Sequence, residues 1–182
     1  MLFLQETLGT VEDTTRSLQS ILPGWIFQGM DAIGRSGGLA TSINPRSIKH
    51  ISTWGGMGFI GMDIFVGELG FQLKVINIYA PNQNRLDFWH NLLDHGLITN
   101  TTIIGVDLKF SLGMEESWGH HAQIDPISDQ MSTLLDSCNL VDVPMNKKQP
   151  TWHNRRIGEA ALGRRLDRFL IHEELICHLP LY

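Results

Sequence analysis

Cysteine is scarce in this sequence. Cys138 and Cys177 are the only two, too far apart for a disulfide framework or a zinc site of the paired-cysteine kind. They read as reduced, intracellular thiols. No apolar run approaches the roughly 20 residues that a membrane-spanning helix needs. The opening "MLFLQET" has no basic lead and meets Gln5 and Glu6 at once, the pattern of a strand rather than of a signal peptide. Repeats, low-complexity tracts and linker-like stretches are missing too, so the 182 residues are expected as one domain, 1–182. Nor is there an excess of positive charge. A formal net charge of −5 argues against a general nucleic-acid coat protein.

What is present is a globular composition, 42% hydrophobic and 18% charged. Eighteen glycines among short apolar runs point to many turns and a strand-rich fold. The charge is uneven: Lys147, Lys148, Arg155, Arg156, Arg164, Arg165 and Arg168 make up half of the 14 basic residues. That cluster reads equally as a surface facing phosphates or as a solvated, arginine-rich face.

Local patterns give the elements. Leu2–Gln5 reads as a strand, and "TVEDTTRSLQSIL" as a helix capped by Thr10 with Asp13 three residues on, stopped by Pro23-Gly24. "WIFQGM", "GGLATSIN" and "KHISTW" follow as strands. "FIGMDIFV" and "FQLKVINIYAP" flank the hairpin turn Gly67-Glu68-Leu69-Gly70. "NRLDFWHNLLDHG" is a helix with Asn84 as its N-cap and Gly96 as its stop. "TTIIGVD" is a buried strand, and "DPISDQMSTLLDSCN" a helix with Asp125 as N-cap and Pro126 at its first position. "LVDV", "PTWHN" and "RRLDRFLIH" complete the strands. Strands outnumber helices, which suggests two packed sheets with helices outside.

Three acids sit at or near the ends of apolar runs: Glu6 after "LFLQ", Asp107 after "IIGV" and Asp167 in "RLDRFLI"; Tyr79 and Asn82 end "VINIYAPN". Ligand sites gather at strand ends, where loops bend side chains over a rigid frame. Carboxylates meeting at such an edge suit Mg²⁺, which needs only one or two of them beside water and a substrate phosphate. Singly, each has a plainer reading. Glu6 is equally a solvated turn residue, Asp107 a strand cap, Tyr79 core packing with its hydroxyl at the surface, and Asp167 an ion-pair partner of Arg165 or Arg168. His120-His121, His153 and His172 read as loop or strand-end histidines.

Taken together, "FLQET", "NIYAPN", "GVDLKFS" and "PTWHN…RRLDRFLI" stand in the order of the endonuclease/exonuclease/phosphatase superfamily. They most resemble the apurinic-type endonuclease domain of plant LINE (non-LTR) retrotransposons, over nearly the whole chain. The resemblance implies an α/β (α+β) fold, a DNase I-like four-layer sandwich of two mixed sheets flanked by helices. It implies Mg²⁺-dependent hydrolysis of a DNA phosphodiester (Mn²⁺ being an alternative ion), in the nucleus, with a reverse transcriptase in the parent polypeptide. By position, Glu6 would be the metal ligand, Tyr79 and Asn82 donors at the phosphate, Asp107 the residue acting on the attacking water, and Asp167 the acid that steadies a catalytic histidine.

The chain departs from that pattern. The family's Gly-Asp-Phe-Asn reads Val106-Asp107-Leu108-Lys109 here. A lysine about 5 Å from Mg²⁺ repels it by roughly 6–7 kcal/mol at an effective dielectric of about 20, and the long stem can relieve most of this by carrying the ammonium into water, so either metal binding is weakened or Lys109 points away. The family's leading asparagine-bearing strand and its closing Ser-Asp-His segment have no counterpart between Met1 and the final "CHLPLY", so incompleteness at both termini is expected, with an unpaired strand edge or groove. His178 lacks the preceding Asp and is not given the catalytic role. The reading is therefore an endonuclease domain in an impaired or inactive copy. The alternatives are a non-catalytic nucleic-acid-binding remnant and a phosphatase of the same superfamily.

Overall fold

The computed structural model describes residues 1–33, 36–94 and 96–179; the end of "CHLPLY", residues 180–182, lies outside them. A three-stranded sheet holds β1 (Leu2–Gln5), β3 (Ser36–Ile43) and β2 (Ile26–Ile33) in that order, all antiparallel. A six-stranded sheet runs β4 (Ile48–Gly56), β5 (Phe59–Val66), β6 (Phe71–Tyr79), β7 (Thr102–Asp107), β12 (Asp167–His172), β9 (Leu140–Asp142). Only β6–β7 is parallel, so the mixing is confined to this sheet. A third, small sheet of two-residue strands, β8 (Ser117–Trp118), β10 (Trp152–His153) and β11 (Gly163–Arg164), stands beside them.

Helix α1 (Val11–Ile21) covers the outer face of the three-stranded sheet. On the far side, α2 (Arg85–Asp94) and α3 (Ser128–Ser137) cover the six-stranded sheet, burying Trp89, Leu92, Leu93, Met131 and Leu135 with Ile76, Ile78, Ile104, Val106 and Leu170. The sequence of layers is helix, sheet, sheet, helices, the expected four-layer sandwich. A short α4 (Glu173–Ile176) follows β12.

Strand alternation divides the core. In β6, Ile76 and Ile78 face the helices, whereas Val75 joins Ile43, Met62, Ile64 and Leu73 between the sheets. Asn77 shares that inner face and is fully buried. Its amide donates to Leu4 O (3.1 Å), Ala40 O (3.1 Å) and Thr41 Oγ1 (3.2 Å) and accepts from Gln5 Nε2 (2.8 Å), which fixes the register of one sheet over the other.

Caps explain the helix ends. Thr10 Oγ1 accepts from the Asp13 amide (3.1 Å), as its spacing predicts, though Asp13 answers through the Thr10 hydroxyl (2.8 Å). Asn84 precedes α2 in a left-handed conformation (φ 52°), and its carbonyl accepts from Phe88 N. Helix α3 begins later than expected. Asp125 and Pro126 lie in the preceding turn, where Asp125 Oδ1 accepts from Ile127 N and both Asp125 oxygens hold Arg85 (2.9 and 3.1 Å). Cys138 and Cys177 are both free. Among the described residues no helix is long and apolar enough to cross a membrane.

Candidate active site

Three strand ends coincide. Tyr79 pairs in register with Asp107 across β6–β7, and Asp107 with Asp167 across β7–β12. Paired residues share a face, and period two gives all three the inner face carrying Val75, Ile103 and Phe169, turned toward β1. Phe3 and Gln5 of β1 point back at it, Phe3 against Phe169 (ring centroids 5.9 Å apart) and Gln5 onto Asn77. Strict alternation would turn Glu6 away. Glu6 instead takes a left-handed conformation (φ 54°), which breaks the alternation and brings its carboxylate over the strand ends. The turn is tied down by Thr7 N to Gly38 O (3.3 Å) and Leu8 N to Gly37 O (3.2 Å). A Cβ on Gly38 would lie 2.2 Å from Thr7 Oγ1, so this approach requires glycine.

Tyr79 Oη donates to Glu6 Oε1 at 2.6 Å. Lys109 Nζ binds Glu6 Oε1 at 3.0 Å and Asp107 Oδ2 more closely still, and lies 3.8 Å from the centre of the Tyr79 ring. The Lys109 amide donates to the other Asp107 oxygen, Oδ1, at 3.0 Å. Of the two expectations for Lys109, a weakened metal site or a side chain turned away into water, the second does not hold. The Lys109 side chain is 12% exposed and Asp107 is 11% exposed. Lys109 takes a left-handed backbone (φ 67°) between two residues, Leu108 and Phe110, that are themselves wholly buried.

The charges respond to this. Glu6 is held below the usual carboxylate range by the hydrogen bonds from Tyr79 and Lys109, against a smaller penalty for burial. Burial opposes the charged form of Lys109, but hydrogen bonds to Asp107 and Tyr79 and the charge of Asp107 outweigh it, so its pKa rises. Burial, then the bond to Glu6, raises Tyr79. Asp167 is raised by desolvation in its concave setting and by the charge of Asp107, though the residue stays exposed to solvent.

Around this centre lies a cavity of about 270 Å³ lined by Glu6, Asn82, Asp107, Lys109, Trp152, Arg164 and Leu166. Four of the expected site residues, Glu6, Tyr79, Asn82 and Asp107, therefore meet there, Tyr79 through its bond to Glu6. Asp167 is adjacent in register but lines the neighbouring groove with Phe3, Gln5, Thr151 and Phe169. No hydrogen bond joins Asp167 to a histidine among the described residues. His178 stacks on Phe71, which starts the strand that Tyr79 ends. The expected pairing of Asp167 with Arg165 or Arg168 does not form, because both arginines hold Glu116 and Asp142 instead. The lysine bridge, and Trp152 and Arg164 as cavity walls, were not foreseen, since their places depend on contacts between distant segments.

The donor set does not fit a divalent cation as it stands. Among the described residues no group of three or more His, Cys, Asp or Glu side chains is placed to hold one. The two carboxylates that would serve already share one ammonium. A single and a double positive charge about 4 Å apart repel by about 8 kcal/mol at an effective dielectric of about 20.

No protein-family model matches this sequence, and no curated protein does. Solved structures do match. The endonuclease domain of TRAS1, a telomere-specific non-LTR retrotransposon, superposes with a TM-score of 0.67 at 13% identity, covering 97% of this chain and 88% of that one. Zebrafish (D. rerio) TDP2, complexed with a single-strand DNA product, gives 0.58 at 13% identity, covering 98% and 72%. An endonuclease/exonuclease/phosphatase family protein of Bacteroides thetaiotaomicron gives 0.56 at 11% identity, covering 90% and 66%. At such identities the likeness establishes the fold, which is DNase I-like.

Proposed function

We propose that this chain is a DNA-directed phosphodiesterase of the endonuclease/exonuclease/phosphatase superfamily, of the LINE retrotransposon kind, in a copy whose hydrolytic step is impaired. The observation that carries the reading is the convergence of Glu6, Asn82 and Asp107 on one polar cavity, with Tyr79 bonded to Glu6 and Asp167 in register beside Asp107. The likeness to a retrotransposon endonuclease domain and to a protein holding a DNA product supports DNA as substrate. "FLQET" and "RLDRFL" weigh against a phosphatase acting on other substrates. By the same resemblance the parent polypeptide carries a reverse transcriptase and works in the nucleus of a plant.

By the resemblance, a divalent ion such as Mg²⁺ or Mn²⁺ would supply neutralisation of the phosphate charge if one were bound. This chain's own residues are less free. Tyr79 donates its one hydroxyl proton to Glu6, and both Asp107 oxygens accept hydrogen bonds from Lys109. Asn82 and Arg164 remain on the cavity wall to meet a phosphate, and Trp152, 42% exposed, offers a stacking face.

Nicking of supercoiled plasmid with Mg²⁺, compared with EDTA, tests the reading. The expected result is salt-sensitive DNA binding with little or no nicking. Robust nicking that Asp107→Ala abolishes overturns the impairment, and no DNA binding at low salt overturns the choice of substrate. Binding with no trace of cleavage under any condition favours the second reading, a non-catalytic DNA-binding remnant, for which the internal lysine–carboxylate bridge is the specific evidence.

A further inference from the structure

We propose that Lys109 is the resident cation of this site: its ammonium stands between Glu6 and Asp107 in place of a divalent metal ion, so the chain as it exists takes none there, and removing this one charge opens a cation site. The inference rests on reading the cavity as the functional site but not on what is hydrolysed.

The placement is built into the fold. Lys109 engages both oxygens of one carboxylate, its amide on Asp107 Oδ1 and its Nζ on Asp107 Oδ2, and reaches Glu6 of the other sheet with the same Nζ. An ammonium has three protons to place. Two go to carboxylates of different sheets, and the face of the Tyr79 ring takes the remaining charge. With these contacts made, the Lys109 side chain is left 12% exposed. The backbone adds a second argument. A left-handed φ of 67° is uncommon for lysine and several-fold more common for asparagine, so the conformation favours a residue other than the one present. What lysine supplies here is the charge.

Replacing that charge leaves two carboxylates facing one small polar space, a set that a hard cation accepts with water completing its shell. The test is a Mn²⁺ titration of the full chain at pH 7, read by electron paramagnetic resonance, on wild type, Lys109→Asn and Lys109→Met. Both variants are expected to bind at least about fivefold tighter than wild type once the fixed positive charge is gone, and adding Asp107→Ala is expected to abolish the gain. A smaller gain in both variants overturns the proposal. Carbon-13 carboxylate spectra of wild type give a reading that needs no variant to fold: the Glu6 and Asp107 signals should hold still as Mg²⁺ is added, and a saturable shift of either overturns the proposal. Because the readout is the ion and not turnover, an inactive plasmid assay and a failed titration point to different errors.

Discussion

At the scale of single residues, the site sets acids that gain a partner against one that does not. Glu6 is held low, so its contribution to stability is present above its unfolded value of 4.5 and is lost only as pH falls through its lower folded value. Lys109 is raised, so its contribution is full below 10.5 and is lost only as pH rises beyond that. Asp167 has the opposite sign to Glu6. Its raised folded value means that stability is full below 3.8 and falls as the carboxyl ionises at higher pH. Asp167→Asn should therefore stabilise the fold at pH 7, with the gain shrinking as pH approaches 4. Solvent screening holds the effect below about 1 kcal/mol, or a Tm rise of at most about 2–4 °C. Paired thermal melts at the two pH values check it, and a variant that melts at or below wild type at pH 7 contradicts the account. The candidate residues could be picked out because each lies at or near the end of an apolar run, where a strand meets a loop. The role of Lys109 was not legible, since residue type gives a charge and a reach but not the left-handed turn that decides where the charge goes.

Among elements, regular periodicity made the long strands and the first two helices readable to within about three residues. Of the two-residue strands, β10 falls within the expected strand "PTWHN", whereas β8 and β11 carry too few positions for any period to show, and the three pair only because distant loops meet. The same distance hid the fate of the basic cluster. Arg168 is fully buried against Glu116 (2.8 Å) and Asp142 (2.7 Å), and Arg165 binds the same two acids, 49 and 23 residues away in sequence. These two arginines hold β9, β12 and the turn before β8 together and do not form a phosphate-facing surface. Glu116 also accepts from the Leu112 amide, so its loss leaves a buried donor and two arginines short of a partner. Glu116→Ala should cost about 3–5 kcal/mol, whereas Glu12→Ala, which breaks an exposed pair with Arg16, should cost under about 0.5 kcal/mol. Urea denaturation of both variants decides the matter, and equal midpoints refute the network.

The whole molecule depends on how closely two sheets approach, and the site inherits that spacing because Glu6 belongs to one sheet and Tyr79, Asp107 and Lys109 to the other. One close approach is at Gly105. A Cβ there would stand 2.4 Å from Cδ2 of Phe3, whose ring is itself confined by Phe169. Phe3 lies three residues before Glu6 on the same edge strand, so any shift that relieves the clash moves the carboxylate away from its partners. Gly105→Ala is therefore predicted to act twice. Overpacking should cost about 1–3 kcal/mol. Tyr79, whose ionisation is raised by burial and by Glu6, should fall back toward 10 as that bond loosens. The chain has only two tyrosines, which makes ultraviolet titration of the phenolate a direct probe. Gly67→Ala is the control, because a Cβ there meets nothing nearer than Ser47 O at 3.9 Å. Loss of stability with an unmoved Tyr79 would show that the sheets touch without setting the site. A Gly105 variant as stable as the control would show that they do not touch there at all.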